Sequence, residues 1–264
     1  MSVGRVNILG VGISKLNLAK AQQCLEVACS DENHVGFVTV TGVHGVMESQ
    51  KDPELRAIHN RSFLSTPDGM PMVWLGQAYG AQEMDRVYGP ELMEQFFEQT
   101  RGTGTKHFLF GGADGVVEEL KEAMCQRYPG TDIVGVYTPP FRPLTSEEER
   151  DLYDALQRLQ PHCFWVGLST PKQERFMDDF LTKYPEINKG WGHGFTMFGV
   201  GAAFDFHSGK VEQAPYWVQR SGLEWLFRVT KEPRRLWRRY SVNNTKFIFA
   251  ILGQLLNIKK YQLD

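Results

Sequence analysis

No CxxC pair and no regular spacing links the four cysteines, Cys24, Cys29, Cys125 and Cys163. That excludes a disulfide framework and fits thiols kept reduced in a cytoplasm. No apolar run reaches the roughly 18 residues of a membrane-spanning helix. The opening MSVGRVNILGVGISKLN is likewise too short and too broken by glycine for a signal peptide. The expectation is a cytoplasmic protein. A formal net charge of -2 excludes a generally polycationic surface, so attraction to nucleic acid or anionic lipid needs a local cluster. Metal grammar is missing too. The histidines His34, His44, His59, His107, His162, His193 and His207 fall in no HExxH and no Cys/His ligand spacing, and no Asp-x-Asp pair is present. Neither GxGxxG nor the Walker pattern occurs.

What is present is a chain with 42% hydrophobic residues, enough for one large domain or a domain with an appendage. Through roughly the first 200 residues, short β-rich runs alternate with helical patterns, the signature of an α/β domain with a mostly parallel sheet. RVNILGVGI reads as a strand, NLAKAQQCLEVACSD as a helix, HVGFVTVTG as a strand, and VHGVMESQKDPELRAIHN as one or two helices interrupted before Pro53. After STPDG, MPMVWLGQAYG reads as a buried helix and GPELMEQFFEQTRG as another. Strand and helix then recur in KHFLFGGADGVVEELKEAMCQRYPG, with a helix starting near Asp114, and in TDIVGVYTPPF with TSEEERDLYDALQRLQ. HCFWVGLSTPKQERFMDDFLTKY and FTMFGVGAAFDFHSG complete the series. Thr145 followed by Glu148 has the form of a capping box.

Ligands of such sheets bind outside the carboxyl ends of the strands. This gathers Asp68, Gly111, Gly112, Thr170 to Gln173 and Gly199 to Gly201 as candidates for one cleft. Asp68 is read in two ways, as a helix cap whose side chain accepts an orphan backbone N–H or as a catalytic base. Gly111 and Gly112 allow backbone to approach a phosphate at a helix N-terminus, or serve a tight turn on steric grounds alone. Gly199 and Gly201 carry the same two readings, and Asp205 just beyond them suits sugar hydroxyls. In STPKQE a proline stands at the expected first helical position, with Lys172 and Gln173 in the first turn. A lysine there opposes the helix dipole unless an anion sits opposite. His44, at a strand end, is the histidine with a candidate polar role.

From about Ala214 the alternation stops. We expect a Rossmann-like catalytic core over 1–214 and a basic, aromatic helical appendage over 215–264. Arg220, Arg228, Lys231, Arg234, Arg235, Arg238 and Arg239 interleave with Trp217, Trp225, Phe227, Trp237 and Tyr240, and the apolar FIFAILGQLL follows. Such a pattern fits burial at the headgroup level of a membrane better than groove reading in a nucleic acid.

TPDGMPMVWLG, RVYGPELM, LFGGADG, GLSTPKQE, GVGAAFDFHSGKVEQAP and GLEWLFRVTKEPRRLWRRY resemble, in this order and over nearly the whole chain, the WecG/TagA/CpsF glycosyltransferases. The resemblance implies an inverting enzyme with a Rossmann-like core; for a nucleotide-sugar substrate the missing Asp-x-Asp pair makes the expected site metal-independent, and no cofactor is expected. It would move a hexose or N-acetylhexosamine-type sugar from a UDP-sugar to a polyprenyl-diphosphate-linked sugar at the inner face of the cell membrane. It implies Asp68 as general base, Arg86 in charge stabilisation, and Gln173 as the polar residue after Pro-Lys. Thr41, with Thr39 as the alternative register, matches the family's threonine. Arg220, Arg228, Arg234 and Arg235 match the arginines of a membrane-engaging appendage. A homo-oligomer is open. The residues alone leave two rivals, a nicotinamide-dependent oxidoreductase and a non-enzymatic membrane-tethered nucleotide-binding scaffold.

Overall fold

The computed structural model describes residues 3–231 and 233–263, without the side chains of Arg235, Arg238 and Arg239. The single strand expected over RVNILGVGI is instead a hairpin, β1 (Arg5–Ile8) and β2 (Val11–Ser14), paired antiparallel from Arg5↔Ser14 to Ile8↔Val11. Leu9 at φ 54° and Gly10 at φ 85° make the turn, the left-handed pair that a two-residue hairpin loop requires. Apolar residues run through the reversal, so hydrophobicity gave no sign of it. What holds Leu9 in this conformation is tertiary: its side chain is buried and its N–H donates to Gln254 Oε1 at 2.8 Å.

The chain continues through α1 (Leu18–Ser30), β3 (Val35–Thr41), α2 (Val43–Ser49), α3 (Pro53–Arg61), β4 (Leu64–Pro67), α4 (Met70–Ala78) and α5 (Gly89–Thr100). Next come β5 (Lys106–Gly111), α6 (Val116–Arg127), β6 (Asp132–Tyr137), α7 (Ser146–Leu159), β7 (Cys163–Gly167), α8 (Lys172–Lys183), β8 (Phe195–Gly199) and α9 (Ala203–His207). The last helices are α10 (Tyr216–Arg220), α11 (Glu224–Lys231) and α12 (Pro233–Leu255). A six-stranded parallel sheet has the order β4-β3-β8-β7-β5-β6. The capping box of α7 is formed: Thr145 Oγ1 accepts from Glu148 N, and Glu148 accepts from Thr145 N.

The chain divides into two compact units. The first comprises Met1–Ala21, Thr39–Tyr88 and Glu212–Asp264, and so includes the basic C-terminal segment. Its core joins Ile8, Leu9, Val11 and Ile13 of the hairpin region to Val46, Met72 and Met84, and to Phe247 and Ile251 of α12. Burying side chains of that size contributes about 1.5–3 kcal/mol each, so the second half of α12 belongs to this core. Polar bonds fix its register: Gln254 Nε2 donates to Asn7 O at 2.9 Å, and Asn7 Nδ2 to Tyr261 O at 2.8 Å. The opposite side of α12 exposes Val242, Ile248, Phe249, Leu252 and Leu255. No described helix is long and apolar enough to cross a membrane.

The second unit comprises Gln22–Val38 and Gly89–Val211. Within it the strands run β8-β7-β5-β6, each neighbouring pair parallel. Strand alternation sends Phe108 and Phe110 to one face, where they stack with Phe164, Tyr137 and Phe176, and sends His107 to the other, against Phe97 and Trp165. α6 leads from β5 to β6 on one side, while α8 leads from β7 to β8 on the other. Right-handed crossovers therefore place these helices on opposite faces. The strand order reverses between β5 and β7, and the crevice at such a switch point is where open α/β sheets bind ligands.

Candidate functional site

In the first unit, β4 ends in Pro67 and the chain turns through Asp68 and Gly69 into α4. Gly69 has φ 86° and is the helix N-cap, and Pro71 follows in the first turn. The reading of Asp68 as the cap of this helix is not met: the cap position falls one residue later with no side-chain cap bond, and the Asp68 backbone N–H donates to Thr41 O at 3.1 Å. The carboxylate is turned toward Gly42, where a Cβ would lie 2.9 Å from Asp68 O and 3.2 Å from Oδ2. The glycine of the β3–α2 turn thus makes room for Asp68. Burial and the Glu224 carboxylate push Asp68 up to about 6, against the opposing pull of Arg86 and Arg228. A half-buried carboxylate poised near neutrality and free of a capping duty has the properties of a proton acceptor.

Arg86 lies on the segment that runs beside β4, where Val87 N donates to Pro67 O at 2.9 Å. Its side chain is 3% exposed. The guanidinium stacks on the Tyr88 ring at 4.2 Å, donates to Glu224 Oε2 at 2.9 Å and donates to Gln219 Oε1. One residue earlier, Asp85 accepts from Arg220 at 2.7 Å. Arg228 is half-buried and faces Asp68, Tyr88 and Glu224. Arg234 is exposed, and the side chain of Arg235 lies outside the described residues.

Thr39 and Thr41 are fully buried on one face of β3. Thr41 Oγ1 donates to Thr39 Oγ1 at 3.1 Å, accepts from Ser65 Oγ at 2.9 Å, and lies 3.2 Å from Nδ1 of buried His59. These hydroxyls brace the strand ends that carry Asp68. His44, in the first turn of α2, lies 3.3 Å from Asn243 of α12, so it faces the appendage.

In the second unit the glycines have visible steric work. A Cβ on Gly111, at φ 131°, would meet the Gly167 backbone at 2.7 Å, and one on Gly112, at φ 76°, would meet Val116 at 2.9 Å. α6 starts at Val116, two residues beyond Asp114, with Gly115 as its N-cap. α8 starts at Lys172, one residue later than expected, because Pro171 occupies the cap position. Lys172 is exposed and its Nζ lies 5.9 Å from the ring of Phe141, which is 95% exposed. Gln173 is buried and donates to Gly199 O at 3.0 Å and to Glu174 Oε1 at 3.1 Å. Its Oε1 and the second oxygen of Glu174 have no partner. Gln173 Oε1 would lie 3.5 Å from a Cβ on Gly201. Ser169 holds φ 69° beside them, a left-handed conformation uncommon for a non-glycine residue. Asp205 sits half-buried in α9. This unit therefore brings together Gly111, Gly112, Lys172, Gln173, Gly199, Gly201 and Asp205 around β5, β7 and β8. An unsatisfied amide oxygen there is a ready acceptor for a ligand N–H or O–H.

Sequence reasoning missed Glu224, Gln219, Tyr88 and Trp74 in the first unit, and Glu174 and Phe141 in the second. Glu224 stood in plain view inside GLEWLFR, but its sign set it apart from the arginines that drew attention. Among the described residues no three His, Cys, Asp or Glu side chains converge as a metal site.

Comparison with known proteins adds a family to this geometry. The sequence model of the "Glycosyl transferase WecG/TagA/CpsF family" matches residues 6–261. The "N-acetylglucosaminyldiphosphoundecaprenol N-acetyl-beta-D-mannosaminyltransferase" of Bacillus spizizenii is 26% identical over 228 residues, which cover 86% of this chain and 83% of that protein.

Proposed function

The chain belongs to the WecG/TagA/CpsF glycosyl transferase family. From that premise we propose that it moves a hexose or N-acetylhexosamine-type sugar from a UDP-sugar, with inversion, to a GlcNAc carried on a polyprenyl diphosphate. The observation that carries this reading is Asp68, a carboxylate raised to about 6 and accompanied by two arginines. The acceptor's identity follows the name of the Bacillus relative.

Inversion at the anomeric carbon takes one displacement. Asp68 accepts the proton of the acceptor hydroxyl as its oxygen attacks C1, and the C1–O bond to UDP breaks with its electron pair leaving on the β-phosphate. The charge that develops there calls for cations. Arg228 and Arg86 place two positive charges near Asp68; arginine grips phosphate oxygens in pairs and stays charged throughout. The donor's nucleotide binds in the second unit. The backbone around Gly111 and Gly199 to Gly201 gives close approach, Gln173 Oε1 accepts from the ligand, Asp205 takes ribose or sugar hydroxyls, and Lys172 adds a positive charge at the start of α8. Exposed Phe141 beside Lys172 offers an aromatic surface to a base.

The appendage also places the enzyme on the membrane. Tyr216, Trp217, Leu223 and Leu226 are exposed, as are Trp237, Ile248 and Phe249 on α12. A helix apolar on its outer side and flanked by arginines lies in the headgroup zone and meets a lipid-borne acceptor there.

The test is release of UDP from a panel of UDP-sugars with a GlcNAc-diphosphate-polyprenyl acceptor in vesicles, with NAD binding measured in parallel. UDP release that depends on one sugar and on the acceptor is the expected result. NAD binding without UDP release would replace this reading with the oxidoreductase.

A further inference from the structure

Every donor direction of the Arg86 fork that the structure records points to the appendage. One terminal nitrogen donates to Glu224 at 2.9 Å, the other to Gln219, and the flat face is covered by Tyr88. The guanidinium is 3% exposed and Glu224 18%, so little of either is left to water. Glu224 also accepts from the Tyr88 hydroxyl. Next to this pair, Asp85 holds Arg220 at 2.7 Å. Consecutive residues of opposite sign, Asp85 and Arg86, thus hold Arg220 and Glu224, which have the reverse order of charge. Between those two lies Gly222, at φ 76°, where a Cβ would come 2.7 Å from the Trp74 ring of α4. The turn joining α10 to α11 is seated on that indole, and only glycine permits the seat.

We infer that Glu224 is a positioning residue: with Gln219 it docks α10 and α11 onto Arg86, brings Arg228 to Asp68, and sets the charge around that carboxylate. Arg86 then acts on the reaction through its field and through the docked appendage, while the phosphate oxygens are gripped by other arginines. The consequence for the catalytic step rests on the transferase reading above; the docking itself does not. Breaking a buried ion pair from one side leaves an unpaired charge, which is far more damaging than removing both partners. The charged groups that bear on Asp68 are Glu224 and Arg228 of α11 and Arg86 beside β4. Of these Glu224 alone opposes ionisation.

The experiment uses the full chain with Arg86→Glu, Glu224→Arg and the double exchange, and reads amide hydrogen exchange across 216–231 together with UDP release. Each single variant is expected to speed exchange in α10 and α11 by about tenfold or more and to lower kcat/KM by roughly 100-fold, and the double exchange to recover at least about tenfold of each. Singles that leave exchange unchanged, or a double no better protected than the singles, would overturn the docking. Glu224→Gln keeps the shape and removes the charge. With it the acid limb of the rate profile should move below its position near pH 6, which loss of packing alone would not do; an unmoved limb overturns the electrostatic role. If the wild-type chain released no UDP from any donor, the transferase reading would fall and the exchange arm would still decide the docking.

Discussion

Beyond β4 the first unit gathers Asp68, Arg86, Arg228 and Glu224, four charged groups; burial and Glu224 raise Asp68 above its ordinary value, and the nearby tyrosines and carboxylates raise Arg228 above its own. Beyond β5 and β7 the second unit offers glycines, the Gln173 amide and one buried carboxyl, Glu174, which burial pushes up. The contrast is between a site tuned by charge and a site shaped by close backbone approach. A proton acceptor needs neighbours that move its affinity for protons. A ligand cradle needs room and a few unsatisfied polar atoms. The same enzyme family membership covers both, so the division of labour has to be tested in each unit separately.

The comparison breaks most visibly at Asp68. Asp68→Asn should lower kcat by roughly 10²–10⁴-fold with the fold intact by circular dichroism; a near-normal rate would remove Asp68 as base. The outer side of α12 gives the next effect. Ile248→Asp with Phe249→Asp should abolish binding to anionic liposomes and leave UDP binding unchanged, since both side chains are exposed. Deleting 215–264 is a blunter tool, because it strips Phe247 and Ile251 from the core of the first unit. In the second unit, Gln173→Leu should raise the donor KM by about tenfold, with little effect on kcat, because it removes the acceptor offered to the ligand and the bonds to Gly199 O and Glu174, and leaves Asp68 untouched.

A pH measurement sharpens the contrast further. Asp68 is held at about 6 against an ordinary 3.8, so the folded chain binds this proton more tightly than the unfolded chain does. Stability from this group is therefore full below about pH 4 and is lost as pH rises through 6. Asp68→Asn should accordingly be more stable than the parent at pH 8 by about 1–2 kcal/mol, allowing for its partial exposure, and equal to it at pH 3.5, by urea unfolding. The rate should fall as pH drops below about 6 while binding of UDP in the second unit stays flat. The smallest change is expected far from either site: Thr145→Ala, which opens the α7 capping box, should cost about 1 kcal/mol by urea unfolding and leave the rate unchanged.

Much of this was legible in the chain. The β-rich runs and helical patterns gave the strand and helix series from β3 to α9 except for β4, whose four buried residues LSTP are too short to show a pattern of their own. Thr145 and Glu148 announced a cap whose geometry is local. Helix starts slipped by one residue at Pro171 and by two at Gly115, where a proline or glycine took the cap. The hairpin at Leu9 was invisible, since both its arms are apolar and its turn is held by Gln254, a residue 245 positions away. Asp68 could be singled out from PDG and from resemblance to a family, but its release from capping could not. Its partners were beyond reach too. Glu224 looked like a stray negative charge among arginines, and Trp74 like one more residue of a buried helix, until folding set them beside Arg86 and Gly222.

The sequence by itself therefore determined the alternating α/β order, the glycine turns at the strand ends and the composition of the basic tail, because these rest on local sterics and on which faces are apolar. Only the tertiary structure decided that the tail's last helix completes a core and that Glu224 closes on Arg86. Those are contacts between residues more than a hundred positions apart, and their energies exist only once the chain has brought buried charges and apolar faces together.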